Sequence, residues 1–119
     1  NIVVHENNAK ITDFGISKIQ NDQNTTVYIG NFGVIAYMEP KRLFDPNIPY
    51  TKSSDIYSFG VLMWEISSGY SPFKDCDNIN TLAVAINNGI REVTVPNKNL
   101  YINCWSQEPE HRPTINEVL

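Results

Sequence analysis

No run in this 119-residue chain approaches the roughly 20 consecutive apolar residues that span a bilayer, so no membrane helix is expected. Basic residues are sparse. Nine Lys and Arg against 13 Asp and Glu give a formal charge of −4, and the longest basic run is Lys41-Arg42. That composition argues against a nucleic-acid binder. Cysteine occurs only as Cys76 and Cys104, in neither metal-ligand spacing nor a disulfide framework. A reducing compartment, the cytoplasm, is therefore the expected setting. The chain opens on Asn1-Ile2-Val3-Val4-His5, without Met or a charged leader, so no signal peptide is expected. A start on a strand-like run and a stop inside a helix suggest truncation at both ends. Internal repeats and low-complexity tracts are absent. What remains is 41% hydrophobic, ordinary for a globular chain with one modest core.

Local patterning predicts a mainly helical lobe with a short hairpin in front. Ile2–Val4 and Ala9–Thr12 are β-rich, and Asn7-Asn8 between them suits a turn because Asn tolerates positive φ. From Asp13 to Asn47 no period holds, and Gly15, Gly30, Gly33, Pro40 and Pro46 punctuate the segment. So long an irregular stretch inside a compact domain is expected to be functional. Ser53-Ser54-Asp55 signals a helix start, followed by a helix apolar on every side and hence expected to be the buried spine. Gly69 should cap its end. Ile79, Leu82, Ala83 and Ile86 predict an amphipathic surface helix. A short helix is expected over Asn99–Trp105. Thr114 with Glu117 forms a capping box opening a last helix, whose Ile115, Val118 and Leu119 should face inward.

The chemistry centres on Asp13-Phe14-Gly15, directly after the second strand. Taken alone the tripeptide also fits a plain turn with a solvated Asp. Its context is more specific: two paired strands would hold Asp13 close to Asn1, making a hard-oxygen site suited to Mg²⁺. Such a metal neutralises charge on transferring phosphoryl groups.

Six ordered motifs resemble those of protein kinases, covering essentially the whole chain. Asn1 resembles the Asn closing the catalytic loop, and Asp13-Phe14-Gly15 the metal-binding D-F-G. Gly33 through Lys41 resembles the substrate-docking segment ending in A-P-E. Ser54-Asp55-Ile56-Tyr57-Ser58-Phe59-Gly60 is similar to the start of the buried central helix, and Ser68 through Phe73 to the G-x-x-P-F after it. Cys104 through Thr114 is similar to C-W-x-x-x-P-x-x-R-P-T. Gly60 through Ile66 and Cys104-Trp105 look most like the tyrosine-kinase-like branch.

The resemblance implies the C-terminal lobe of an ATP-dependent, serine/threonine-directed protein kinase, with residues 13–41 as activation segment and a missing N-terminal lobe as partner. ATP, Mg²⁺ and a protein substrate are the implied ligands. Asp13 and Asn1 would hold the metals, and Phe14 would pack under the regulatory helix of the missing lobe. Asp55 would accept hydrogen bonds from the catalytic-loop backbone, or else simply cap its helix. Gly60 would permit close helix packing. Thr25, Thr26 and Tyr28 are candidate phosphorylation sites, or solvated loop hydroxyls. The catalytic base would lie upstream of Asn1, so the isolated chain is expected to be inactive.

Two departures qualify the resemblance. Val34 stands where many serine/threonine kinases have Thr. Lys41 replaces the Glu of A-P-E, although Arg112, its usual partner, is present. Either Glu39 supplies the carboxylate, or Lys41 swings to solvent, or the segment is loosely held; the first is the expectation. A pseudokinase acting as scaffold or allosteric module is the alternative function.

Overall fold

The structure, a computed structural model, describes residues 1–17, 32–96 and 101–119. Strands β1 (Ile2–His5) and β2 (Asn8–Ile11) pair antiparallel, with Ile2 opposite Ile11 and His5 opposite Asn8. The turn lies one residue earlier than expected. Glu6 and Asn7 take φ of 50° and 62°, the two left-handed positions of a tight hairpin turn, and Asn8 begins β2.

After the hairpin, Phe14–Ile16 forms a 3₁₀ turn, Phe32–Ile35 a single α-helical turn (α1), and Pro40–Arg42 a second 3₁₀ turn. The long central helix, α2, runs Lys52–Ser68. Its cap lies two residues before the expected signal, at Thr51 instead of Ser53. The Thr51 N–H donates to Ser54 Oγ at 3.1 Å, so the cap is local and reciprocal. Gly69 ends α2 as expected, with φ of 76° and its N–H on the Glu65 carbonyl at 2.9 Å.

Helix α3 spans Ile79–Asn87, opened by Asn78, whose side chain accepts from the Asn80 and Thr81 N–H groups. Its apolar stripe is the expected one, with Leu82, Ala83 and Ile86 buried. The helix expected over Asn99–Trp105 is not formed in its described part: Tyr101–Trp105 is a turn closed by one 3.3 Å bond from Trp105 N–H to Tyr101 O. Helix α4 (Ile115–Val118) has the expected capping box, the Thr114 N–H donating to Glu117 at 2.7 Å. That bond, with one from the Thr114 hydroxyl, pulls the Glu117 carboxyl below its usual range. The expected inward face is realised only in part: Val118 is half-buried, whereas Ile115 is 48% and Leu119 92% exposed.

The core gathers Ile35, Met38 and Leu43 with Tyr57, Val61 and Trp64 of α2 and Leu82, Ala83 and Ile86 of α3. Tyr101 and Trp105 complete it, edge to face with ring centres 4.9 Å apart. Helix α2 is thus buried along one face, not all round: Phe59, Leu62 and Met63 are half-buried and Ile66 is exposed. Gly60 is needed where α2 meets the Cys104-Trp105 turn. A Cβ there would stand 2.7 Å from Cys104 Cβ and 3.1 Å from Trp105 N, closer than packed atoms approach.

Trp64 anchors this core. It is 5% exposed, and its indole N–H donates to the Val93 carbonyl at 2.9 Å, tying α2 to the segment beyond α3. Trp64→Ala is expected to destabilise the folded chain by about 3–5 kcal/mol in urea melts, chiefly through the cavity it leaves. A loss below about 1 kcal/mol would mean that α2 is not the spine.

Candidate functional site

The hairpin register places the ends of the two strands side by side. Thr12 N–H donates to the Asn1 carbonyl at 3.0 Å, and the Asn1 side-chain amide donates to Asp13 Oδ2 at 2.8 Å. The two residues singled out as metal ligands are therefore in contact, although twelve positions apart. Asp13 itself takes φ 60° and ψ 70°, left-handed backbone that a non-glycine residue adopts rarely and at a cost. The 3₁₀ turn Phe14–Ile16 follows immediately, with Ser17 N–H on Phe14 O at 3.0 Å. Both site residues and all eight strand residues are open to solvent, and Phe14 is 65% exposed. Gly15 lies against Asp13, where an added Cβ would meet Oδ1 at an ordinary 3.5 Å.

A second constellation is buried. The Arg112 guanidinium donates through both terminal nitrogens to the Glu39 carboxylate, Nη2 to Oε1 at 2.9 Å and Nη1 to Oε2. The side chains are 0% and 2% exposed. Arg112 also donates to the carbonyls of Ser106 at 2.8 Å, Ser53 at 2.9 Å and Gln107 at 3.3 Å. Glu39 is thus the carboxylate that meets Arg112 in this chain. One pair joins the Glu39–Lys41 stretch, the start of α2 and the Ser106–Arg112 turn.

Lys41 neither faces Arg112 nor hangs in solvent. Its ammonium donates to Glu108 Oε2. This hydrogen bond raises the Lys41 pKa and lowers that of Glu108, each holding the other charged.

Further ties bind the stretch before Pro40 to α2. The Ser58 hydroxyl donates to the Tyr37 carbonyl at 2.6 Å, and the Tyr37 hydroxyl to Glu65 at 2.5 Å. Burial and the Glu65 carboxylate push the Tyr37 phenol well above its usual range. Tyr57, fully buried, has the guanidinium groups of both Arg91 and Arg112 over its ring, each 5.1 Å from the ring centre. Burial raises its phenol to about 12, and its hydroxyl has no partner among the described residues.

Asp55 lies in the first turn of α2, and since Thr51 is the cap, the simple capping role expected as its alternative does not apply. Partial desolvation raises the Asp55 carboxyl, opposed by the Tyr50 hydroxyl beside it. Thr25, Thr26 and Tyr28 lie outside the described residues. Among the described residues no group of three or more His, Cys, Asp or Glu side chains gathers to hold a metal, and no helix is long and apolar enough to cross a membrane.

Comparison with known proteins agrees with the motif order. The family described as protein tyrosine and serine/threonine kinase matches residues 1–119. The chain is 31% identical over 124 residues to mitogen-activated protein kinase kinase kinase 12 of Rattus norvegicus, covering 99% of this chain and 13% of that protein. It is 32% identical over 118 residues to mitogen-activated protein kinase kinase kinase 11 of Homo sapiens, covering 92% of this chain and 13% of that protein. A Dictyostelium discoideum protein named "Probable serine/threonine-protein kinase" is 32% identical over 126 residues, 100% of this chain and 13% of its own length. The chain therefore spans about an eighth of the curated relatives it matches. With the family match running from Asn1 to Leu119, over the hairpin and the helices behind it, the chain belongs to the protein tyrosine and serine/threonine kinase family.

Proposed function

We propose that this chain is the C-terminal lobe of an ATP-dependent, serine/threonine-directed protein kinase of the cytoplasm, in which residues 13–41 are the activation segment and Asn1 and Asp13 hold Mg²⁺. The carrying observation is the 2.8 Å contact between the Asn1 and Asp13 side chains. The donor chemistry fits: one carboxylate and one amide oxygen are hard donors, and Mg²⁺ usually takes only one or two carboxylates, with phosphates and waters filling the rest. Bound there, the metal would neutralise charge on the ATP phosphates.

The chain's own residues have separate tasks in this reading. Asp13 presents its carboxylate from left-handed backbone, and Asn1 holds that carboxylate in place through its amide. Asp55 orients the catalytic-loop backbone, bringing the upstream base to the substrate hydroxyl. The segment ending at Lys41 docks the protein substrate. Phosphate on Thr25, Thr26 or Tyr28 would recruit a basic side chain and order the activation segment.

A pseudokinase scaffold remains the second reading, and Val34, half-exposed where a Thr hydroxyl would reach the base, favours it. The exchange at Lys41 does not, because Glu39 serves Arg112 and Glu108 serves Lys41. The test is transfer of radiolabelled phosphate from ATP to a generic protein by the full-length polypeptide and by residues 1–119 alone. Transfer is expected only from the former. Turnover by residues 1–119 alone would overturn the site assignment, and none from either would favour the scaffold.

A further inference from the structure

The docking segment and the Ser106–Arg112 turn meet through two ion pairs of opposite polarity. On the segment, acid precedes base, Glu39 then Lys41, with Pro40 between them fixing the backbone at the start of a 3₁₀ turn. On the facing turn the acid, Glu108, also precedes the base, Arg112, across the Pro109–His111 3₁₀ turn. Glu39 takes Arg112 and Lys41 takes Glu108, so the pairs run antiparallel. Exchanging partners would set Lys41 against Arg112 and Glu39 against Glu108, two like-charge contacts. The pattern therefore admits one register of the segment on the turn and penalises the other.

The pairs differ in burial. Glu39 and Arg112 are 2% and 0% exposed, whereas Lys41 and Glu108 are 37% and 43% exposed. A half-exposed pair contributes little to global stability and is screened by salt. What it can restrain is the local motion of the residues that bear it.

We propose that Lys41 and Glu108 are positioning residues that, with the buried Glu39–Arg112 pair, clamp the substrate-docking segment in one register. This rests on the kinase reading above. The clamp acts on the protein substrate through the segment and leaves the nucleotide side, at Asn1 and Asp13, untouched.

The experiment compares wild type, Glu108→Gln, Lys41→Met and Lys41→Arg in the full-length polypeptide, with myelin basic protein as substrate. The KM for that protein should rise about threefold in the first two variants, the scale of one half-exposed pair, and stay near wild type in Lys41→Arg. The KM for ATP and the kcat should not move. About 0.5 M salt should raise the wild-type protein KM and erase its advantage over Glu108→Gln. An unchanged protein KM in both variants, or an ATP KM rising in parallel, would overturn the clamp. If the wild type transfers no phosphate at all, the kinase reading fails, and the clamp is judged by hydrogen exchange. The amides of Tyr37, Met38, Arg42 and Leu43, bonded within the segment, should then exchange faster in Glu108→Gln; equal exchange overturns it.

Discussion

Glu39→Gln should destabilise the folded lobe by about 3 kcal/mol, because it leaves the buried Arg112 guanidinium without its counter-charge. Both side chains are essentially inaccessible, so water cannot take the carboxylate's place. The three carbonyls around Arg112 keep their bonds and are expected to hold the guanidinium where it is, neutralised by nothing. Gln can still accept one of the two donors, which keeps the loss at the lower end of the range for a broken buried pair. Arg112→Met should cost at least as much, since Glu39 would then be the stranded charge. In urea melts the double variant should recover much of the summed loss, giving a coupling of about 2 kcal/mol or more. Lys41→Glu should not rescue Glu39→Gln, because a carboxylate at position 41 would meet Glu108. Independent, additive losses would mean that the pair does not join the Glu39–Lys41 stretch to the Ser106–Arg112 turn.

The parts of this chain that were legible in its sequence are those set by neighbours along the backbone. The Thr114–Glu117 capping box, the Gly69 cap and the α3 stripe of Leu82, Ala83 and Ile86 each need only three or four residues to be specified. Boundaries slipped where two local solutions compete. Thr51 and Ser54 cap each other reciprocally, which outranks the Ser53-Ser54-Asp55 signal, and Glu6, beside Asn7, takes the left-handed conformation expected of Asn8. Burial was the least legible property. The apolar circumference of α2 could not show which side its neighbours cover, and Ile66, Ile115 and Leu119 stay exposed because no described element packs over them.

The candidate site divides in the same way. Asn1 and Asp13 could be paired from the sequence because a hairpin brings strand ends together by register alone. Glu39 could be matched to Arg112 only through the family resemblance, in which an acid of the A-P-E segment pairs with that Arg and Glu39 is the acid nearest to Lys41. Glu108 could not be assigned to Lys41, 67 positions away, without the turn at Pro109 that presents it. Nor could the approach of two guanidinium groups to the Tyr57 ring, which depends on how α2 meets two separate loops.

The most direct test of the proposed metal site is kcat of the full-length polypeptide carrying Asp13→Asn. The substitution is isosteric. The introduced side-chain amide can still accept the hydrogen bond from Asn1, and Asn tolerates left-handed backbone better than most residues, so φ of 60° is not a reason for misfolding. What disappears is the negative charge and the anionic oxygens that a magnesium ion needs. Activity should fall by roughly 100-fold or more, the scale of removing charge stabilisation from a phosphoryl-transfer site, while the urea midpoint stays within error of wild type. A variant that folds normally and keeps most of its kcat would contradict the assignment of Asp13 as the metal ligand.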